Sequence, residues 1–370
     1  MGNANSDRRN GSVVRRSFRN VRKKLVGNEM RSDAGNGEKA LLSFIDLLPV
    51  DMQFHIMTFL SPQDLCRLGG TSRYWRMLVR DPRLWRYFML RDIPHWSSID
   101  HLSMPKQLDA LKGPLSGGPG CHTQDVMAEY IKACSDGRIL GQRSKPVYKR
   151  FTSFLRSLRT KEPRFAMFGP GLEQLEVSLI ANMMFAPNIL RVVGITQDTG
   201  IGAGITFMHK QCRFNVLVIY SSNSVQRGRH RVGHIQVNNE LFINEEEQQP
   251  GKFVCQLPPH IQEVCQLVDG FIYVANAEAD QASGGIEEAQ AQIRAMLQPN
   301  WGPSSRPLLV LSCVSNTWLA SQHTSCVSTA HQLQLSLLPN PWMVQNTTAR
   351  LLSGMINGVT WLLMHSGIRL

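Results

Sequence analysis

Two kinds of fold in series are expected of this 370-residue chain: a bundle of short helices with a helical connector, then a doubly wound α/β sheet. Three observations predict it. Between Leu48 and Phe88 apolar residues recur at helical spacing and are punctuated by Ser-Pro, Gly-Gly and Asp-Pro. From Arg164 onward, short continuous apolar runs alternate with helix-like stretches, the pattern of strands buried on both faces. Between the two, Gly113–Gly120 forms a Gly/Pro-rich break.

Residues 1–42 read as a disordered basic tail. Its first 28 residues hold eight basic groups (Arg8, Arg9, Arg15, Arg16, Arg19, Arg22, Lys23, Lys24) against Asp7, so +7 of the net +12 sits there. The remaining body is only mildly basic and lacks cations interleaved with stacking aromatics, so no nucleic-acid partner is expected. Met1-Gly2-Asn3-Ala4-Asn5-Ser6 fits the pattern for acylation of Gly2. Val14, Phe18, Val21 and Leu25 would line one side of a basic helix, the form of a membrane-surface segment. A plain basic tail, serving nuclear localisation with Gly2 unmodified, remains the alternative. No run approaches the roughly 20 apolar residues of a spanning helix, and no signal-peptide pattern opens the chain. The eight cysteines are scattered without metal-binding spacing, so free thiols in a reducing compartment are expected, cytoplasmic with a nuclear or membrane-associated fraction open. No cofactor and no metal are expected.

Residues 43–90 carry four short helices. Leu48, Met52, Ile56, Phe59 and Leu60 share one helical side, with Pro49 at its start. Ser61 is placed to cap a second helix, with Pro62 at its first position and Asp64 in its first turn. Gly69-Gly70 should stop it, Thr71 or Ser72 should cap a third bearing Trp75, Leu78 and Val79, and Asp81-Pro82 should open a fourth bearing Leu84, Trp85 and Phe88. A unit of under fifty residues cannot hide every apolar group in its own core, so some apolar surface is left for a partner. Leu48-Pro49-x-Asp51, Ile56, Phe59-Leu60-Ser61, Asp64-Leu65, Leu68, Thr71-Ser72, Trp75 and Asp81-x-x-Leu84-Trp85 together resemble the F-box motif. The resemblance implies that Leu48, Pro49, Ile56, Leu60, Leu65 and Trp85 bury against a Skp-type adaptor, which links the chain to a cullin and a RING subunit.

Residues 91–160 read as a helical linker, with helices expected over Asp125–Cys134 and Tyr148–Leu158. Residues 161–370 hold the sheet domain. Strands are expected at Arg164–Phe168, Phe214–Tyr220, Gly270–Val274 and Leu308–Cys313, and helices at Leu172–Met184, Ile286–Met296, His331–Leu338 and Thr347–Met364. The Gly169-Pro170-Gly171 turn sits where a phosphate-binding loop would sit. It continues Leu172-Glu173-Gln174-Leu175, without the lysine and hydroxyl such a loop needs, and Glu173 would repel phosphate. Ser221-Ser222-Asn223 follows the second strand without Asp-x-x-Gly, and Val314-Ser315-Asn316 follows the fourth without Asn-Lys-x-Asp. GTP hydrolysis is therefore not expected.

Over about residues 44–365 the succession is similar to F-box proteins whose second domain is a Ras-like, small-GTPase-like sheet lacking nucleotide motifs; Glu162–Glu173, Val268–Ala279 and Arg306–Cys313 carry that likeness. It implies a non-catalytic substrate receptor of a ubiquitin ligase, with telomeric repeat-binding factors and D-type cyclins among the family's clients. In a Ras-like order the sheet edges would be the strand near Gly204–Cys212 and the one at Pro341, Trp342, Met343, Val344 and Gln345. An edge strand offers unpaired backbone groups to a client, and the second, with the helix that follows it, is the expected docking surface. Core packing of Trp342, with the client elsewhere, stays open. So do a homodimer, a nucleotide switch, and a membrane-tethered scaffold without ligase activity.

Overall fold

The computed structural model describes residues 44–105, 125–134, 162–197, 202–221, 242–245, 254–278, 283–316 and 324–368. The basic tail with Gly2, the Gly113–Gly120 break and the helix expected over Tyr148–Leu158 lie outside them. Contacts divide the chain into two compact units, one made of residues up to 91 with 107–130, the other of 92–106 with 131 onward.

The first unit is helical: α1 (Phe44–Leu47), α2 (Val50–Thr58), α3 (Pro62–Thr71), α4 (Arg73–Val79), α5 (Pro82–Asp92) and α6 (Val126–Ala133), the last crossing the boundary. Its boundaries are set by local chemistry. Ser61 Oγ accepts the amide hydrogen of Asp64 at 3.1 Å, Ser72 Oγ that of Trp75 at 3.2 Å, and Asp81 Oδ1 that of Arg83 at 2.8 Å. Each satisfies a donor that the first helical turn leaves open. The Asp64 carboxyl is held below its usual range by the Ser61 hydroxyl and by Arg67. Gly69 and Gly70 do not stop α3, which runs on to Thr71; Gly69 is buried, and a Cβ there would lie 3.6 Å from Val79. The core gathers Met57, Leu65, Leu78, Trp85, Phe88 and Met89, with Tyr130 of α6 packed on Trp85 and Phe88. Trp85 Nε1 donates to the Val79 carbonyl at 2.6 Å, which pays for burying the indole N–H.

The second unit is an open sheet. In chain order it contains β1 (Ser98–Asp100), β2 (Arg164–Phe168), α7 (Gly171–Gln174), α8 (Leu179–Phe185), β3 (Arg191–Gln197), β4 (Gly202–His209), β5 (Cys212–Ile219), β6 (Ile243–Glu245), β7 (Val254–Gln256), α9 (Pro259–Leu267), β8 (Gly270–Asn276), α10 (Ser283–Met296), β9 (Leu308–Val314), α11 (Cys326–Gln332), β10 (Trp342–Thr348) and α12 (Met355–His365). The strand order is β1-β10-β9-β8-β2-β5-β4-β3, with β6 and β7 forming a separate hairpin. The centre, β10-β9-β8-β2-β5, is parallel; β1, β4 and β3 are antiparallel to their neighbours. Alternate residues of the parallel strands feed two cores. Phe165, Met167, Ile272, Val274, Leu309 and Leu311 pack with α8 and α12 on one face. The intervening Phe168, Phe271, Tyr273, Leu308 and Val310 are equally buried on the other. Coverage of both faces is why these strands read as unbroken apolar runs.

Several expected boundaries shift for local reasons. The helix expected over Leu172–Met184 is split into α7 and α8, because Ser178 starts a new turn by accepting the Ala181 amide hydrogen at 3.3 Å. The helix expected over His331–Leu338 is instead α11 followed by a short 3-10 turn, with Gln334 in the left-handed region between them. Thr347 and Thr348 end β10, and α12 begins only after Gly354, whose φ is +76°. The linker, expected to be helical, contributes β1.

Glycine decides one close approach. Gly169 has φ +121°, and a Cβ there would sit 2.6 Å from the Val274 carbonyl; at Gly171 it would meet Val274 Cγ1 at 2.7 Å. We expect Gly169→Ala to lower unfolding stability by about 2–4 kcal/mol, since positive φ and a backbone clash act together. Denaturant titration of the purified chain checks this; an unchanged midpoint would show that the turn can move away from β8.

Candidate functional site

The first candidate is an apolar face on the helical unit. On α2 the side turned to the core carries Gln53 and Met57, four residues apart and both buried. Gln53 is polar, yet it is satisfied: its Nε2 donates to the Ile45 carbonyl at 2.8 Å and its Oε1 accepts from the Tyr74 hydroxyl. The opposite side of α2 therefore turns Met52, Ile56 and Phe59 outward, with Phe59 77% and Ile56 37% exposed. Ile45 and Leu47 of α1 are exposed as well. Such a group of large apolar side chains on one small unit marks a surface that another molecule covers.

The expected adaptor contacts divide on this face. Pro49 and Ile56 are exposed, and Leu48 and Leu60 are half-buried. Leu65 and Trp85 are not on the surface at all: both are 0% exposed in the unit's own core. They hold the helices together and cannot touch a partner without unfolding the unit. Ile45 and Leu47 were missed because they precede the motif; their apolar character so close to its start was the available signal.

The second candidate is the carboxyl end of the parallel strands, where open α/β sheets bind ligands. Here the chain fills that place with its own groups. The Gly169–Gly171 turn lies on β8, and Asn276 Nδ2 donates to Gln174 Oε1 at 3.3 Å across the β2/β8 gap. Glu173, buried, accepts both the backbone N–H and, at 2.9 Å, the hydroxyl of Ser221 just beyond β5. Glu278 does the same for Ser315 beyond β9, with the hydroxyl at 3.2 Å. Two backbone donors at this end, the amides of Ser221 and Ser315, are thus taken by internal carboxylates. Burial pushes the Cys255 thiol up to about 11 and the Cys265 thiol up to about 12, far from the thiolate form a nucleophile needs. Among the described residues no group of three or more His, Cys, Asp or Glu side chains is placed to hold a metal.

The third candidate is a sheet edge, and the expected one is occupied. β1 pairs with β10 in the register Ser98↔Gln345, Ile99↔Val344 and Asp100↔Met343. Trp342, Met343, Val344 and Gln345 are all buried, and the His101 amide hydrogen reaches the Trp342 carbonyl at 2.9 Å. Pro341–Gln345 is therefore an inner strand, closed by a segment some 240 residues earlier. The strand at Gly204–Cys212 is no edge either, since β4 lies between β5 and β3. β3 ends the sheet. It carries exposed Val193 and Ile195 and an irregular register between Val192 and Gly194. Gly194 interrupts the Arg191–Gln197 run, which hid this strand from the sequence pattern.

Comparison with known proteins fits this architecture. The F-box-like family model matches residues 45–91, the span of the helical unit's apolar face. F-box only protein 4 of Bos taurus is 44% identical over 346 residues, covering 91% of this chain and 88% of its own length. F-box only protein 4 of Homo sapiens is 45% identical over 327 residues, covering 87% and 83%. Among solved structures, the Arl6 BBS3 small GTPase from Trypanosoma brucei, bound to the nucleotide analogue GppNp, aligns at TM-score 0.33 and 14% identity over 56% of this chain and 98% of its own, too loosely to bear on function. Identity at this level over nine-tenths of the sequence, with an F-box where the outward apolar helices lie, settles kinship: the chain belongs to the F-box only protein 4 family.

Proposed function

We propose that the chain is the substrate-recognition subunit of a Skp/cullin/F-box ubiquitin ligase and performs no catalysis itself. The observation that carries this reading is the outward face of α1 and α2, Ile45, Leu47, Met52, Ile56 and Phe59, inside the span that matches the F-box-like model. A Skp-type adaptor seated there covers apolar groups that the unit cannot bury alone, with Leu48, Pro49 and Leu60 at its margin. Through the adaptor the chain joins a cullin and a RING subunit. Its work is then proximity: a client held near a charged ubiquitin carrier meets it at a high effective concentration.

The client side of this reading rests on β3. No described strand pairs with its outer side. Strand addition there would give a client main-chain hydrogen bonds, with Val193 and Ile195 supplying apolar selectivity. Telomeric repeat-binding factors and D-type cyclins are the client classes the family resemblance brings. The competing nucleotide-switch reading is disfavoured, because Glu173 and Glu278 already hold the amides of Ser221 and Ser315.

Three outcomes follow. Burying a large apolar side chain contributes about 1.5–3 kcal/mol, so Phe59→Ala should weaken adaptor binding about 10- to 100-fold in a calorimetric titration, with little change in thermal midpoint. Leu65→Ala should instead lower stability by about 2–5 kcal/mol by opening a core cavity. Adaptor affinity indifferent to Phe59 would remove α2 from the interface. Separately, Ile195→Glu should abolish client capture, since an edge charge blocks strand addition, while adaptor binding stays intact. Retention of the client by this variant would move the docking surface off β3.

A further inference from the structure

The cations of the folded units are unevenly chosen. Among the 236 described residues there are thirteen arginines and only two lysines, Lys132 and Lys210. Lysine is ordinarily one of the commonest residues of a soluble domain. Residues 45–91 contain seven arginines (67, 73, 76, 80, 83, 86, 91) and no lysine, and residues 253–370 likewise contain none. The remaining nine lysines of the chain, including Lys106, Lys112, Lys145, Lys149 and Lys161, lie outside the described residues.

Contacts account for only some of these arginines. Arg306 is buried, donates through Nη1 to the Cys265 carbonyl at the end of α9, and lies 4.9 Å over the Phe271 ring, a use of the flat guanidinium that lysine could not fill. Arg76 and Arg91 reach the Gly69 and Thr58 carbonyls, and Arg67 pairs with Asp64 at 2.9 Å. Arg73, Arg80 and Arg83 are different. All three are exposed, and their side chains engage no described partner. An ammonium would serve solubility there as well as a guanidinium does. The two cations differ in one respect that matters on a ubiquitin ligase. A lysine ε-amine that loses its proton is a nucleophile, whereas a guanidinium stays protonated.

We infer that arginine in place of lysine keeps the F-box surface of this chain from accepting the ubiquitin it helps deliver, an inference that rests on the ligase reading above. In the transfer, a neutral ε-amine attacks the thioester carbonyl that joins ubiquitin to its carrier. A C–N bond forms, the C–S bond breaks, the carrier cysteine leaves as thiolate, and the amine's proton passes to water. Arginine at Arg73, Arg80 and Arg83 preserves positive charge and removes the attacking atom. Self-modification is thereby left to Lys132, Lys210 and the lysines outside the described residues, and ubiquitin reaches the docked client instead.

The test uses the full chain assembled with adaptor, cullin and RING subunit, supplied with charged carrier and no client. The Arg73→Lys/Arg80→Lys/Arg83→Lys variant should bind adaptor as the native chain does and self-ubiquitylate about twofold faster or more, with Gly-Gly remnants on the three new lysines by mass spectrometry. The matching Arg→Gln set should show no increase. If the new lysines stay unmodified while native lysines are modified, or if the Gln set rises equally, the inference is overturned. A native chain that neither retains the adaptor nor supports any transfer overturns the ligase reading, and the inference with it.

Discussion

Gly169 and Gly171 let the turn after β2 lie directly on Val274 and Ala275 of β8, and that close approach governs the ligand end of the larger unit. In an open α/β sheet the gap between these two strands is where a phosphate or cofactor would enter. With the turn pressed down, Gln174 meets Asn276 across the gap, and Glu173 is carried to the Ser221 amide. The anion a ligand would bring is covalently part of the chain. Among the described residues β1 and β3 end the sheet, and β3, with seven residues against three, is the longer of the two edges.

The helical unit solves an opposite problem. It must keep apolar groups out of its core, so that a surface remains for assembly. Burying Gln53 on α2, satisfied by Ile45 and Tyr74, sends Met52, Ile56 and Phe59 outward. A buried amide tied to Ile45 of α1 and Tyr74 of α4 fixes the rotation of α2 about its axis. Leu65 and Trp85 supply the rigid base on which that face stands.

Much of this was legible in the sequence, and what was not had physical causes. Ser61, Ser72 and the Asp81-Pro82 step act within one turn, so local residue type sufficed to place α3, α4 and α5. β2, β8 and β9 announced themselves because parallel strands covered on both faces need apolar residues throughout, and β5 because its apolar run alternates buried with half-buried residues. β1 is three residues long and is made a strand only by pairing with β10, some 240 residues away, which no local pattern reports. The sidedness of α2 likewise depends on Tyr74 in another helix, and motif resemblance alone could not separate Leu65 and Trp85, which build the unit, from Ile56 and Phe59, which face outward.

One chain thus presents two surfaces on two separately packed units: an apolar helical face at Ile45–Leu60 and, among the described residues, an edge strand at Arg191–Gln197. On this reading the two surfaces work at the same time. Titrating a client into the chain, first free and then saturated with the Skp-type adaptor, measures this most directly. Client affinity unchanged within about twofold, with all three proteins eluting as one complex, is the predicted result. Competition between adaptor and client for the chain would contradict the account.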